Sequence, residues 1–402
     1  MLGPARWRAG IAPAAVACLL LAPFAAMAAA ANAAPAASGA TRRPDCDDSY
    51  VLKLAAAIQS DTGRAIRPPP DLLPCRRAQR RTSTFRVPPD LIVGGFGDRL
   101  LGMVTVFYAA LARDAVFGVD WTSPYKLATY FQLPCATATP LAAVNVTAVD
   151  IWDHFKTDAW RLDVSADVVY HTNARHWLRV VQSGAAAAPA SSLLHALRLH
   201  ELDQNTLFRV AVDALLGAPT PKLAARAARA LPAGAPVVGV QIRVGGSQPK
   251  FLDAATRHAL ASAACFGPEV ARQCASLRRC TVFLTADSHA AALLFKKAYK
   301  RACAAAPRRC GGVVEVRGDV LHTDRTNATD VAEQAPELVD RLWTKSVLDW
   351  WLLKQADALV ISRSGFGETA GWASAARAAR RLTLQPAGMT KCEFGELTDE
   401  LL

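Results

Sequence analysis

Three stretches in the second half of the chain end apolar runs on polar or charged side chains. "GVQIRVGG" places Arg243 directly after the run 237–242, "CTVFLTADS" finishes on Asp287 and Ser288, and "ALVISRSGFGE" passes through Ser362 to Ser364 in a glycine turn. Each run reads as a buried strand, because it is short, apolar and bounded by turn residues. Strands of a parallel sheet bring their C-terminal ends to one edge, where open α/β sheets bind ligands. A guanidinium there is a fork for phosphate, and a small-residue turn opening a helix offers N–H groups to an anion. Each feature alone has an ordinary structural reading, since arginine often closes a strand with its head in water. All three on one edge point to a diphosphate site.

Three further carboxylates have alternative readings. Asp98 and Glu368 adjoin the expected turns, where either could take a proton from a hydroxyl or act as a helix N-terminal carboxylate. Asp349 lies on an apolar helical stretch four residues after Lys345. It reads either as a surface ion pair or as the acceptor for the two neighbouring donors of guanine, N1–H and N2–H₂. Phosphate loops of the G-x-x-x-x-G-K-[ST] type, G-x-S-x-G elbows and H-E-x-x-H zinc motifs are absent from the sequence. The acidic run 45–48 has the spacing of a metal–nucleotide motif, but it falls in a segment read as a stem and carries a cysteine inside it.

The elements that must position these groups follow an α/β rhythm. Residues 90–121 read as strand, glycine turn, long apolar helix and second strand. A strand is expected over 164–171 and a helix over 195–216, with the Pro/Gly/Ala segment 217–236 as a link. The second half then runs through strand 237–242, a helix near 254–264, strand 280–288, helix 289–301 and strand 311–319. Helix 337–355, strand 358–362 and the glycine turn into a last helix complete it. Two doubly wound halves, 85–220 and 221–395, are expected to face each other across a cleft, preceded by a stem over 41–84.

The ordered set of motifs from about 90 to 373 resembles the GT-B fucosyltransferases, which include plant xyloglucan, nodulation-factor, core and protein O-fucosyltransferases. The plant xyloglucan enzymes are nearest, since they share a Gln-Ile-Arg version of the arginine strand. "GGFGDRLLGMVTVFYAALARDAVFGVDW", "VFLTADS" and "SVLDWWLLKQADALVISRSGFGETAGWA" resemble the family's other blocks in order. The resemblance implies a GT-B architecture of two Rossmann-like domains, a GDP-fucose donor, no metal, and inversion at the sugar carbon. It implies that Arg243 neutralises the β-phosphate, that Ser364, Gly365 and Phe366 hold the pyrophosphate, and that Gln241 and Asp349 lie at the guanine. Asp287 and Ser288 end the strand that flanks the donor, and Gly95, Gly97 and Asp98 form the loop across the cleft. Arg243 and Asp98 are thus the expected catalytic pair. Three departures stand out: Asp98 where many members have Asn, Gln241 where several have His, and Gly245 where several have an acidic or amide residue. A transferase using another nucleotide sugar, or a non-catalytic glycan-binding protein on the same fold, are the alternatives.

Composition sets the partners and the compartment. The 402 residues carry a formal charge of +12, which favours nucleotides, phosphates or acidic glycans. The basic runs 75–81 and 296–301 carry few interleaved aromatics and no recognised nucleic-acid motif, so nucleic acid is not an expected partner. Arg6 and Arg8 precede an uncharged Ala/Leu-rich stretch over 9–40, which reads as a cleaved signal peptide or a signal-anchor. Sequons at Asn145 and Asn327, and nine cysteines beyond that stretch with no Cys-x-x-Cys pair, agree with a secretory route and disulfides. A Golgi lumen (type II membrane) or secreted location follows, with a glycan or glycoprotein as acceptor.

Overall fold

In the computed structural model, residues 48–74, 82–87, 95–113, 115–133, 146–150, 167–171, 182, 185–186, 188–189, 191–232, 234–245, 260–277, 280–304, 310–318, 335–376, 380–384 and 392–397 are described. The chain opens with helix α1 (Ser49–Thr62) and strand β1 (Thr82–Val87), followed by α2 (Phe96–Ala112) and β2 (Val116–Trp121). Strands β3 (Val146–Asp150) and β4 (Asp167–His171) complete a four-stranded sheet in the order β2-β1-β4-β3, parallel throughout. Helices α3 (Gln204–Leu216) and α4 (Pro221–Ala230) lead into the second sheet. Its elements are β5 (Val237–Ile242), α5 (Phe266–Ser276), β6 (Thr281–Ala286), α6 (His289–Cys303), β7 (Val313–Val314), α7 (Pro336–Lys354), β8 (Ala358–Ile361), α8 (Gly365–Ala373), β9 (Arg381–Leu384) and β10 (Phe394–Glu396). The order is β10-β9-β8-β5-β6-β7, parallel except for the β9–β10 pair.

Strand β5 shows why this second sheet is covered on both faces. Val238, Val240 and Ile242 pack with Phe266 of α5 and Phe295 of α6. The alternate residues turn the other way. Gly239 lets Leu353 of α7 and Leu359 of β8 approach so closely that a Cβ would meet the Leu359 side chain at 2.8 Å, and Gln241 faces α8. Successive residues of a strand point to opposite faces, so a strand apolar on both is buried on both. The other large core runs through both sheets' helices, joining Phe85, Phe107 and Phe208 to Trp343, Trp350 and Trp372. All described residues belong to one compact unit.

Several expectations are corrected. The strand beside β2 is Thr82–Val87; the one expected near 90–93 lies outside the described residues, as do 1–47, both sequon asparagines and Cys46, Cys75 and Cys135. The expected stem contains α1, whose Tyr50, Val51, Leu54, Ala55 and Ile58 are buried: its apolar spacing makes it a packed helix. The expected helix over 195–216 is broken, because Arg198 takes a left-handed conformation (φ 54°) and Asp203 caps a fresh start by accepting from Thr206 N at 2.8 Å. The supposed link contains α4, which begins on a proline and buries only Leu223. Near 254–264 the first described turn is a 3-10 segment, Leu260–Cys265, and the helix itself is Phe266–Ser276.

Disulfides Cys265–Cys392, Cys274–Cys280 and Cys303–Cys310 tie the second half, as the cysteine pattern suggested. Among the described residues no helix is long and apolar enough to cross a membrane.

Candidate functional site

The three polar strand ends converge. Strand β5 lies between β8 and β6, so the residues that follow the three strands are neighbours. Ser362 Oγ accepts from Arg243 N at 2.9 Å. Asp287 Oδ1 accepts from Val244 N at 2.9 Å, and Oδ2 from Gly245 N at 2.8 Å. The Arg243 Nε stands 3.6 Å from Asp287 Oδ2, with the arginine side chain only 12% exposed. The arginine is therefore fixed by the ends of both neighbouring strands. Ser288, next along, caps α6 by accepting from Ala291 N at 3.4 Å.

The serine–glycine turn sits beside this edge. Ser364 caps α8, accepting from Gly367 N at 3.2 Å, and its hydroxyl donates to Gln241 Oε1 at 3.3 Å. A Cβ at Gly367 would lie 2.5 Å from that Gln241 oxygen, so the glycine lets the helix approach the end of the Gln241 side chain closely. Gln241 is buried and fastened to the start of α8. Phe366 is half-buried and packs on the larger core.

The glycine loop of the first half meets this turn directly. A Cβ at Gly97 would clash with the backbone carbonyl of Gly365, and one at Gly365 would lie 2.5 Å from Asp98 Oδ1. The N-terminal turns of α2 and α8 thus touch through glycine. A short relay braces the contact: Trp350 Nε1 donates to Thr369 Oγ1 at 3.1 Å, and that hydroxyl donates to Gly365 O at 2.6 Å. Asp98 Oδ2 accepts from Gly95 N at 3.0 Å, the return arm of a capping box. Of the two roles weighed for Asp98, catalytic carboxylate or helix cap, the geometry supplies the cap. Glu368 is buried in the first turn of α8, 4.0 Å from Arg363 Nε.

The surface reading of the Asp349 ion pair is corrected. Asp349 is paired with Lys345, but both are buried, with 1% and 7% of their surface exposed. Thr285 Oγ1 donates to the same oxygen, Oδ2, at 2.8 Å, while Oδ1 is buried without a hydrogen-bond partner. Burial pushes this carboxyl above the ordinary carboxylate range, against the pull of Lys345 and Thr285.

The most deeply buried cation among the described residues, Arg99, escaped the sequence reading. Arg99 donates to Ser123 O at 2.6 Å and stacks between Trp121 and Trp343, 5.9 and 5.4 Å from their rings. Its burial lowers the guanidinium to about 10. Phe96 closes the cluster against Trp121, Trp343 and Trp350. The one signal in the sequence is a charge inside an otherwise apolar helix. Among the described residues no group of three or more His, Cys, Asp or Glu is arranged to hold a metal ion.

No protein-family model and no curated protein matches the sequence. Solved structures do match. Arabidopsis thaliana FUT1, in complex with GDP, is similar with a TM-score of 0.52 and 14% identity, over 85% of this chain and 81% of that one. The chain carries the GT-B fold. NodZ from Bradyrhizobium (12% identity, TM-score 0.40, 73% and 93% covered) and POFUT1 in complex with GDP (12%, 0.40, 74% and 96%) also match, but the fold assignment rests on the plant structure. Within the GT-B fold, the edge that gathers Arg243, Asp287 and Ser362 belongs to the second sheet, and the loop at Gly95–Asp98 belongs to the first half.

Proposed function

We propose that the chain is an inverting glycosyltransferase that transfers fucose from GDP-fucose to a hydroxyl of a glycan or glycoprotein. The observation that carries the proposal is Arg243, a guanidinium anchored by both neighbouring strand ends beside the start of α8, in a fold whose Arabidopsis representative was solved with GDP. In the reaction the acceptor oxygen bonds to the sugar's anomeric carbon as the bond from that carbon to the β-phosphate oxygen breaks. The departing electron pair stays on GDP. Arg243 neutralises that charge, because a fixed, partly dehydrated guanidinium stabilises developing anionic charge far better than one in water. The proton leaves with solvent, and Asp98 serves the loop.

In this reading the second half, 221–395, holds the nucleotide and the first half, 85–220, faces the acceptor. The turn Ser364–Gly365–Phe366 lies along the pyrophosphate, and Gln241 and Ser288 border the donor. The unpartnered Asp349 oxygen takes a guanine N–H, which adenine lacks at that edge. The three disulfides support an oxidising compartment, and we place the protein in the Golgi lumen, anchored through the segment 9–40, or outside the cell.

Calorimetry with GDP, UDP and ADP tests the reading. GDP is expected to bind most tightly. A preference for UDP or ADP would point to another nucleotide sugar, and binding of none would leave a glycan-binding protein on a transferase fold.

A further inference from the structure

Three successive backbone N–H groups, those of Arg243, Val244 and Gly245, follow β5, and every one is taken by a side chain. Successive N–H groups in such a loop form a concavity that binds anions. Here the anion is already built in. The Asp287 carboxylate takes two of the three N–H groups with its two oxygens, and Oδ2 also faces Arg243 Nε. Gly245, at φ +75°, has the left-handed conformation that glycine adopts without strain, and its N–H is the third of the run. Asp287 has only 5% of its side chain exposed, so its charge is spent inside the loop.

We infer that Asp287 is a positioning residue that acts through Arg243 and does not itself touch the nucleotide, which revises its expected place in the donor pocket. The inference rests on the proposed function and adds a division of labour to it. A negative charge filling the loop keeps a phosphate off the backbone N–H groups, so the phosphate meets the guanidinium instead. The carboxylate also holds the Nε side of Arg243, which sets the direction of the planar fork. A neutral side chain cannot do both. Asparagine brings one acceptor oxygen and an NH₂ group that would oppose one of the N–H donors.

The test compares GDP with GMP, which lacks the β-phosphate, by calorimetry on the wild type, Asp287→Ala, Arg243→Lys and the double variant. The wild type is expected to favour GDP. Asp287→Ala should weaken GDP about tenfold or more, the scale of a lost charge-assisted hydrogen bond, and leave GMP within about twofold. The double variant should be no weaker for GDP than Arg243→Lys alone, because the two residues act as one unit. Added formate, but not chloride at equal ionic strength, should refill the loop of Asp287→Ala and restore GDP affinity, with no such recovery in the double variant. Equal losses for GDP and GMP, or losses that multiply in the double variant, would overturn the inference. If Asp287→Ala does not fold, Asp287→Asn enters the same four-way comparison with the same deciding outcomes. If the wild type binds neither nucleotide, the functional reading fails, yet the loop is still tested. Formate should then raise the melting temperature of the Asp287 variant above that in chloride, and an absence of that rise overturns the built-in anion.

Discussion

Helix α2 of the first half is buried on every side: of its residues only Asp98 and Ala112 are not fully covered, and it offers the junction just its opening turn. The corresponding helices of the second half, α5 and α6, each bury a single face, and the polar groups of that half gather at the strand ends. The covalent ties differ as well. All three disulfides among the described residues lie in the second half, while the first half meets the second through the Phe96–Trp121–Trp343 cluster around Arg99. Helix α2 is ordered by burial, while α5, α6 and the strand ends beside them are ordered by cross-links and by hydrogen bonds between loops. Groups that meet a charged ligand need the second kind of order, since apolar packing cannot aim a guanidinium.

The largest expected effect strikes the cross-links. Replacing Cys265 and Cys392 by serine removes a link across 127 residues and should cost about 5 kcal/mol in denaturant unfolding. The same change at Cys274 and Cys280, six residues apart, should cost about 2 kcal/mol. Equal costs would show that the long link does not organise this half.

Arg243→Lys comes next. It keeps the charge, loses the fork, and should lower donor turnover roughly a hundredfold or more with little change in melting temperature. Near-normal turnover would remove the chemical role of that edge. At the junction, Gly97→Ala drives a methyl group into the Gly365 carbonyl, a backbone atom with nowhere to go, and should destabilise by about 1–3 kcal/mol. Gly312→Ala, which meets nothing within 4 Å, serves as the control and should be neutral. A tolerated Gly97→Ala would mean that the halves are less tightly joined than the contact implies.

The smallest effect is a slope. Burial raises the Asp349 carboxyl, so the folded chain holds a proton that the unfolded chain has released. Stability should therefore fall as pH rises from the ordinary carboxylate value to the raised folded one, and Asp349→Asn should flatten that part of the curve. Urea unfolding across the acid range measures it. A slope unchanged by the substitution would place the titrating group elsewhere.

Much of the second half was legible because its strands are short β-branched runs between turn residues. The run 237–242 became β5 at the expected bounds, and the meeting of Arg243, Asp287 and Ser362 followed from parallel strands alone. What escaped depended on which way a face points. The Lys345 and Asp349 spacing announced a pair, but only the packing of α7 shows that it is buried. Helix α4 hid in a segment whose alanines, glycines and prolines resemble a linker, since one leucine anchors it. The glycine loop and the serine turn could each be recognised, but their contact joins two helices far apart in the chain, and no local pattern encodes it.

That contact between Gly97 and Gly365 also orders events during synthesis. The chain is made from its N-terminus, so α2 is complete long before α8, against whose opening turn it rests, exists. Until then a nascent first half displays an apolar helix with one of its neighbours missing, the kind of surface that chaperones hold. A ribosome stopped between Arg243 and Gly365 yields a polypeptide with the arginine strand but no completed junction. Folding quality control can thus read the exposed side of α2 as a mark of an unfinished molecule.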